Sequence, residues 1–346
     1  MAISHRTMVH FTQQLSGMIS AGIPLTKSLA ALEKQVDDPA FRPVLVRVRQ
    51  TVESGTSFSA AISQFPEVFS NFFISMIYAG EQGIGLSVVL SRIGSNLERD
   101  YALRGKIKGA FMYPLVIGSV AIIVVSLMII FIVPIFAKVY SQLGVHLPLP
   151  TRILLATSGF VRHFWHISIG IIGGVYWGLK KFRGGAFKRE LIYKFNTRAP
   201  LLGKLTKKVA IAKFVRIFSG MLVCHVPLSE ALEVVDTIVK DPEISRVIHH
   251  MKTAIESGGS ITEAFEKSGI FSPIILQMVG IGEESGTLGE LLEKCADTLE
   301  QDIDEFAKKL VIVIEPTLTL GLSILIGFIA LSIYLPMFDL MTHVGK

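Results

Sequence analysis

The stretch FMYPLVIGSVAIIVVSLMIIFIVPIFA, from Phe111 to Ala137, decides the fold, because its 27 residues carry no charge. As a helix rising about 1.5 Å per residue it reaches ~40 Å, more than the ~30 Å hydrocarbon layer of a bilayer. Helices in soluble proteins average about 11–12 residues, and those at the surface keep a polar side. The stretch therefore reads as a membrane span. A second uncharged run, PTLTLGLSILIGFIALSIYLPMF, covers Pro316 to Phe338. It echoes the first residue by residue: Pro114, Pro134 and Phe136 recur as Pro316, Pro336 and Phe338, each 202 positions later.

Working outward, half of the 346 residues are hydrophobic and the mean hydropathy is +0.54, yet long charged segments are also present. That mixture fits a few spans joined to soluble domains. Met1 to His10 is polar and an amphipathic pattern follows directly, so the expectation is a cytoplasmic, uncleaved N-terminus. Cys224 and Cys295 stand far apart in no metal-ligand spacing and read as reduced core thiols. The pI near 9.2 is not a nucleic-acid signature here, because the basic residues gather beside the spans.

From Phe11 to Ile107 the apolar residues recur at helical spacing and no segment alternates convincingly with period two. Gly22-Ile23-Pro24 and Glu53-Ser54-Gly55 break helices, Asp38-Pro39 is expected to open one, and Ser57 can cap a short one. Ser70 to Ala79 forms a further helix closed by the turn Gly80-Glu81-Gln82-Gly83, and Leu86, Leu90, Ile93, Leu97 and Tyr101 mark a long helix running towards the first span. From Phe214 this pattern returns. Ser16-Gly17-Met18, Pro24-Leu25, Asp38-Pro39 and Glu53-Ser54-Gly55 recur 203 residues later, and Phe69-Ser70, Gly80-Glu81, Leu86 and Leu97-Glu98 recur 202 residues later. The chain is a tandem duplication of a helical domain and the span that follows it.

Both copies enter their spans through basic residues, Arg104, Lys106 and Lys108 in the first and Lys308 and Lys309 in the second. The positive-inside rule puts both domains in the cytoplasm, which requires an even number of crossings between them. The apolar segment near Phe164 to Leu179 supplies the return crossing. The fold class is thus all-α, a polytopic membrane protein with two homologous cytoplasmic bundles of about six helices each and three transmembrane helices. The expected order is a cytoplasmic domain over 1–110, a span over 111–137, an external loop and interfacial segment over 138–163, a second span over 164–180, the second domain over 181–310, a third span over 311–338 and an external tail over 339–346.

Chemistry is sparse. Gly203-Lys204 lacks the rest of a phosphate-binding loop, and Gly280, Gly282 and Gly286 lie between helices rather than after a strand, so no nucleotide site, cofactor or metal site is expected. There is no catalytic constellation. Two turns, Gly80-Glu81 and Gly282-Glu283-Glu284-Ser285-Gly286, are candidate docking or coupling surfaces, with a cation site as one use. The competing reading is a helix C-cap followed by acidic residues that open the next helix. Glu315, one turn inside the third span, must pair, snorkel or protonate, and packing against a basic residue from another helix or subunit is the favoured reading. Pro114 and Pro316 are candidate kinks.

The segment Phe11 to Leu25 (FTQQLSGMISAGIPL), the turn Gly282 to Leu288 (GEESGTL), Tyr113-Pro114 and Glu315-Pro316 resemble the inner-membrane platform proteins of type IV pilus and type II secretion machines, over nearly the whole chain. The resemblance implies a non-catalytic scaffold in the bacterial inner membrane, C-terminus external. It implies a homo-oligomer in the lipid bilayer that engages a hexameric assembly ATPase, pilin or pseudopilin subunits and other inner-membrane assembly proteins. No direct nucleotide or nucleic-acid binding is implied. Gln82-Gly83-Ile84 departs from the family's x-Ser-Gly, and the extension preceding the first domain in many members is not expected here, so roles carried by either are not assumed. The alternative is a small three-span transporter or channel using Glu315. Such a protein would need more polar residues in its spans than are present.

Overall fold

A computed structural model describes residues 3–142, 148–159, 200–239 and 241–344, and all regular structure among them is helical. The second crossing expected over 164–180 lies outside the described residues. Two compact units emerge, one of Met1–Ile107 with Lys204–Glu305, the other of Lys108–Gly203 with Phe306–Lys346.

In the first unit, α1 (His5–Ser20), α2 (Leu25–Gln35), α3 (Arg42–Glu53), α4 (Phe58–Ser63) and α5 (Asn71–Ala79) precede the long α6 (Leu86–Leu127). The same order returns as α8 (Pro200–Val223), α9 (Leu228–Val239), α10 (Pro242–Glu256), α11 (Ile261–Ser268), α12 (Pro273–Ser285) and the long α13 (Leu288–Val344), while α7 (Val133–Gln142) lies between them. Each copy is built round buried phenylalanines. Phe11 meets Phe41 edge-on with centroids 5.1 Å apart, and Phe265 stacks on Phe271 at 4.5 Å. Phe11 and Phe214 hold the same place in the repeat, and both are buried.

Chain reversals are made by backbone chemistry that the sequence spells out. Helix α1 stops where Gly22 takes φ +80° and Ile23 N–H reaches back to the Met18 carbonyl at 3.0 Å, which satisfies carbonyls left over at the helix end. In the second copy the same role falls to His225 at φ +51°, with Val226 N–H on the Met221 carbonyl at 3.1 Å. One expected start moves. Asp241 caps α10 by accepting from Glu243 and Ile244 N–H, with Pro242 at the first turn, but α3 begins at Arg42 rather than after Asp38-Pro39. Pro43 explains the difference, since a helix begun at Pro39 would bury a residue without an N–H in its second turn. Starting at Arg42 leaves Pro43 where no donor is needed.

The two copies touch within this unit. Helix α5 packs on α9, with the Asn71 amide donating to the Thr237 hydroxyl at 3.2 Å. Arg92 of the first copy pairs with Glu293 of the second at 2.7 Å, and Arg99 pairs with Asp297, which the buried Arg216 of the second copy also holds.

In the second unit, the apolar parts of α6 and α13 expose Leu115 (64%) and Ile122 (68%), among many others. Both helices are long and apolar enough to cross a membrane. Pro114, Pro316 and Pro336 sit inside these helices without ending them. A π-helical segment, Met128–Ile132, joins α6 to α7. Residues 149–159 are helical and pack against the π segment, α7 and α13: Thr151 and Ser158 hydroxyls donate to the Ser332 and Ile129 carbonyls at 2.6 and 2.7 Å, round a small core of Val133, Leu154, Ile329 and Ile333. Helix α13 runs on to Val344, through most of the segment expected as a tail.

Candidate functional site

The two glycine-glutamate turns are the most specific polar constructions in the chain. Helix α12 does not stop at Gly282. It continues to Ser285 and ends where Gly286 takes φ +70°. Glu283 and Glu284 therefore belong to its last turn, not to the start of the next helix, and that is the less favourable end of a helix dipole for an acid. Glu283 escapes this penalty by reaching another helix. Its carboxylate accepts from the N–H groups of Ile261 and Thr262 at 2.6 and 2.8 Å and from the hydroxyls of Ser260 and Thr262 at 2.7 and 2.5 Å, closing the N-terminus of α11.

The first copy repeats the device. Glu81 accepts from Phe58 N–H at 2.6 Å, from Ser59 N–H at 3.3 Å and from the Ser59 hydroxyl, at the start of α4. Ser59 and Thr262, and Glu81 and Glu283, are repeat-equivalent, so both copies share the carboxylate closure, while Ser57, the equivalent of Ser260, bonds the Ser59 hydroxyl instead of the acid. Its local backbone differs, because the segment Gly80–Ile84 is a π turn with Gly83 at φ +131° and Gly85 at φ +98°, the place where Gln82-Gly83-Ile84 departs from the second copy.

Proximity to backbone requires glycine at Gly282 and leaves only a tight space at Gly80. A Cβ on Gly282 would lie 2.8 Å from the Leu288 Cα, and one on Gly80 would lie 3.1 Å from Val89 Cγ2. Burial raises the Glu283 pKa, but hydrogen bonds from Thr262, Ser260 and Ile261 outweigh it and hold the carboxyl below its ordinary range. Both acids are thus committed to the fold of their own copy. Glu284 and Ser285 remain at the surface, where Ser285 bonds the Ile281 carbonyl and the Thr287 hydroxyl.

Glu315 accepts a hydrogen bond from the Tyr113 hydroxyl at 3.2 Å. Tyr113 and Glu315 are the same position of the repeat, 202 residues apart, each followed by proline. The chain thus brings the two candidate kinks side by side through one hydrogen bond.

Sequence reasoning missed Arg216. It occupies the place of Gln13, which donates to Glu98 at 2.9 Å, while Arg216 binds the equivalent Glu300 and also Asp297. Burial raises the Asp297 pKa, but Arg216 and Arg99 lower it further, so the acid stays ionised. The only signal in the sequence was a charge change at one repeat position.

The repeat is also what known proteins share. A sequence model of the family described as type II secretion system (T2SS), protein F, matches this chain twice, over residues 11–134 and 214–336, each time a bundle with the apolar helix that follows it. The chain belongs to that family. Over 331 residues it is 33% identical to the "Type IV pilus assembly protein PilC" of Thermus thermophilus, covering 95% of this chain and 81% of that protein. It is 30% identical over 340 residues to the "Type II secretion system protein F" of Xanthomonas campestris pv. campestris, covering 98% and 84%. The PilC of Myxococcus xanthus is also 30% identical, over 342 residues. Both branches of the protein F family, pilus assembly and secretion, are therefore similar to this chain at nearly equal distance.

Proposed function

We propose that this protein is the non-catalytic inner-membrane platform of a type IV pilus or type II secretion machine, coupling a cytoplasmic hexameric ATPase to the polymerisation of pilin or pseudopilin subunits. The observation that carries the reading is that each protein F match ends in one unbroken helix. Helix α6 begins with Val89, Leu90 and Ile93 in the bundle core and continues into apolar residues with lipid-type exposure. Helix α13 does the same from Leu292, Cys295 and Ala296. Displacement carried along such a helix, from the soluble core where it begins to its apolar end, needs no fuel site in this chain.

The topology proposed with it has three spans, the second within 164–180, both bundles in the cytoplasm and the C-terminus outside. Packing of α5 on α9 supports a common side for the two bundles. The test is to place glycine at Leu97 and Leu299, which costs about 1 kcal/mol of helix propensity at each position and softens each rod. Fibre assembly should fall sharply in cells while the variant protein still co-purifies with the ATPase. Normal assembly in a folded double variant would remove the coupling role.

A further inference from the structure

The two bundles are copies of one fold and so present the same two surfaces, but among the described residues only one of each is used. The outer face of α5 in the first copy packs on α9 of the second. The reciprocal pair, α12 and α2, makes no comparable packing among the described residues. Exposure records the difference: Phe72 on α5 is 6% exposed, whereas its repeat equivalent Ile274 on α12 is 60% exposed, with Ile281 on the same helix at 52%. Backbone proximity agrees. A Cβ on Gly220 would meet the Asn96 amide at 3.3 Å, whereas one on the equivalent Gly17 would meet nothing within 4 Å. A contact between two unlike surfaces leaves one of each open on every chain, and such a contact propagates until it closes on itself.

We propose that a second copy of this chain takes up the open surfaces, its α2 docking on the α12 face of the first and repeating between chains the α5–α9 contact made within each. The charges fit this occupant. Helix α2 exposes Lys27 and Lys34 on either side of the small Ala30 and Ala31, and α12 exposes Glu284 at its C-terminal end. Within the chain, Asn71 at the start of α5 lies against Thr237 near the end of α9, so the two helices run in opposite senses. The repeated contact places position 273 against Lys34 and carries Glu284 towards Lys27. At the position of Lys27 the internal contact has Glu230 instead, so the charge is reversed between the used surface and the open one. That reversal lets the interchain contact form without competing with the internal one.

The test uses the full-length protein in its membrane, with Cys224 and Cys295 left in place. Both are buried, and burial pushes the Cys295 thiol up to about 11, so they react slowly. One tagged chain carries Pro273→Cys and a differently tagged chain carries Lys34→Cys, both at exposed positions. Mild oxidation should give a disulfide dimer holding both tags, and a chain carrying both cysteines should give a ladder. Lys27→Glu should reduce the cross-linked fraction by about fivefold or more, and Glu284→Lys in the partner should restore it. A cross-link no stronger than that of Lys34→Cys with the remote, exposed Gln50→Cys would overturn the proposal. So would chains that co-purify through their tags while this pair fails to join.

Discussion

Glu283 shows what a single side chain can decide. Replacing it with Gln keeps one acceptor oxygen but turns an amide donor towards N–H groups that need acceptors. We expect Glu283→Gln to lower stability by about 1–3 kcal/mol in thermal unfolding of the detergent-solubilised protein at neutral pH. The pH dependence has a definite sign. The folded pKa lies below the ordinary glutamate value of about 4.3, so the contribution is complete above that pH and is lost as pH falls through the folded value. Wild-type protein should lose this increment in acid, and the variant should have none to lose. His225 offers the opposite change. It holds the left-handed conformation that glycine fills at the same turn of the first copy, so His225→Gly should stabilise the second bundle by about 0.5–1 kcal/mol. No gain in the same unfolding measurement would show that the histidine side chain compensates elsewhere.

Among the helices, starts and stops were legible where the signal is local. Gly22, Gly55 and the serine caps act on their own turns, and the repeat stated Gly55, Ser57 and Ser70 twice, as Gly258, Ser260 and Ser272. Links across helices were less legible. Ser59 and Glu81 are 22 residues apart, and nothing in their spacing says that a turn at the end of α5 closes the start of α4. The same limit hid the Tyr113–Glu315 bond, because a carboxylate in a span suggests a cation long before it suggests a phenol. Pro43 shows a local signal overruled by another local signal, two prolines competing for one helix start. The crossing of α12 and α13 makes a prediction at this scale. Gly282→Ala sets a methyl 2.8 Å from backbone and should lower the unfolding temperature by several degrees, on the order of 2–4 °C per kcal/mol for a chain of this size. Gly280→Ala, whose methyl would meet the Thr262 side chain at an ordinary contact distance of 3.6 Å, should change it little or raise it slightly. Equal losses at the two positions would remove close packing as the reason for the glycine.

At the level of the whole chain, the duplication fixes more than either copy does alone. Reporter fusions near Ser70 and Phe271 should both read as cytoplasmic, and one near Lys346 as external. Opposite readings for the first two would end the three-span topology and the coupling role with it. The meeting of Tyr113 with Glu315 has a consequence for how such a chain could arise. A half-length ancestor pairing with itself would have set this position against its own twin, and two glutamates there would repel, while two tyrosines would lack a strong acceptor. Halves joined in one chain are free to differ here, donor in one and acceptor in the other, a choice closed to identical partners. Exchanging them, Tyr113→Glu with Glu315→Tyr, should therefore be tolerated in expression and detergent stability, whereas Tyr113→Glu alone should not, because it places two acids together in an apolar setting.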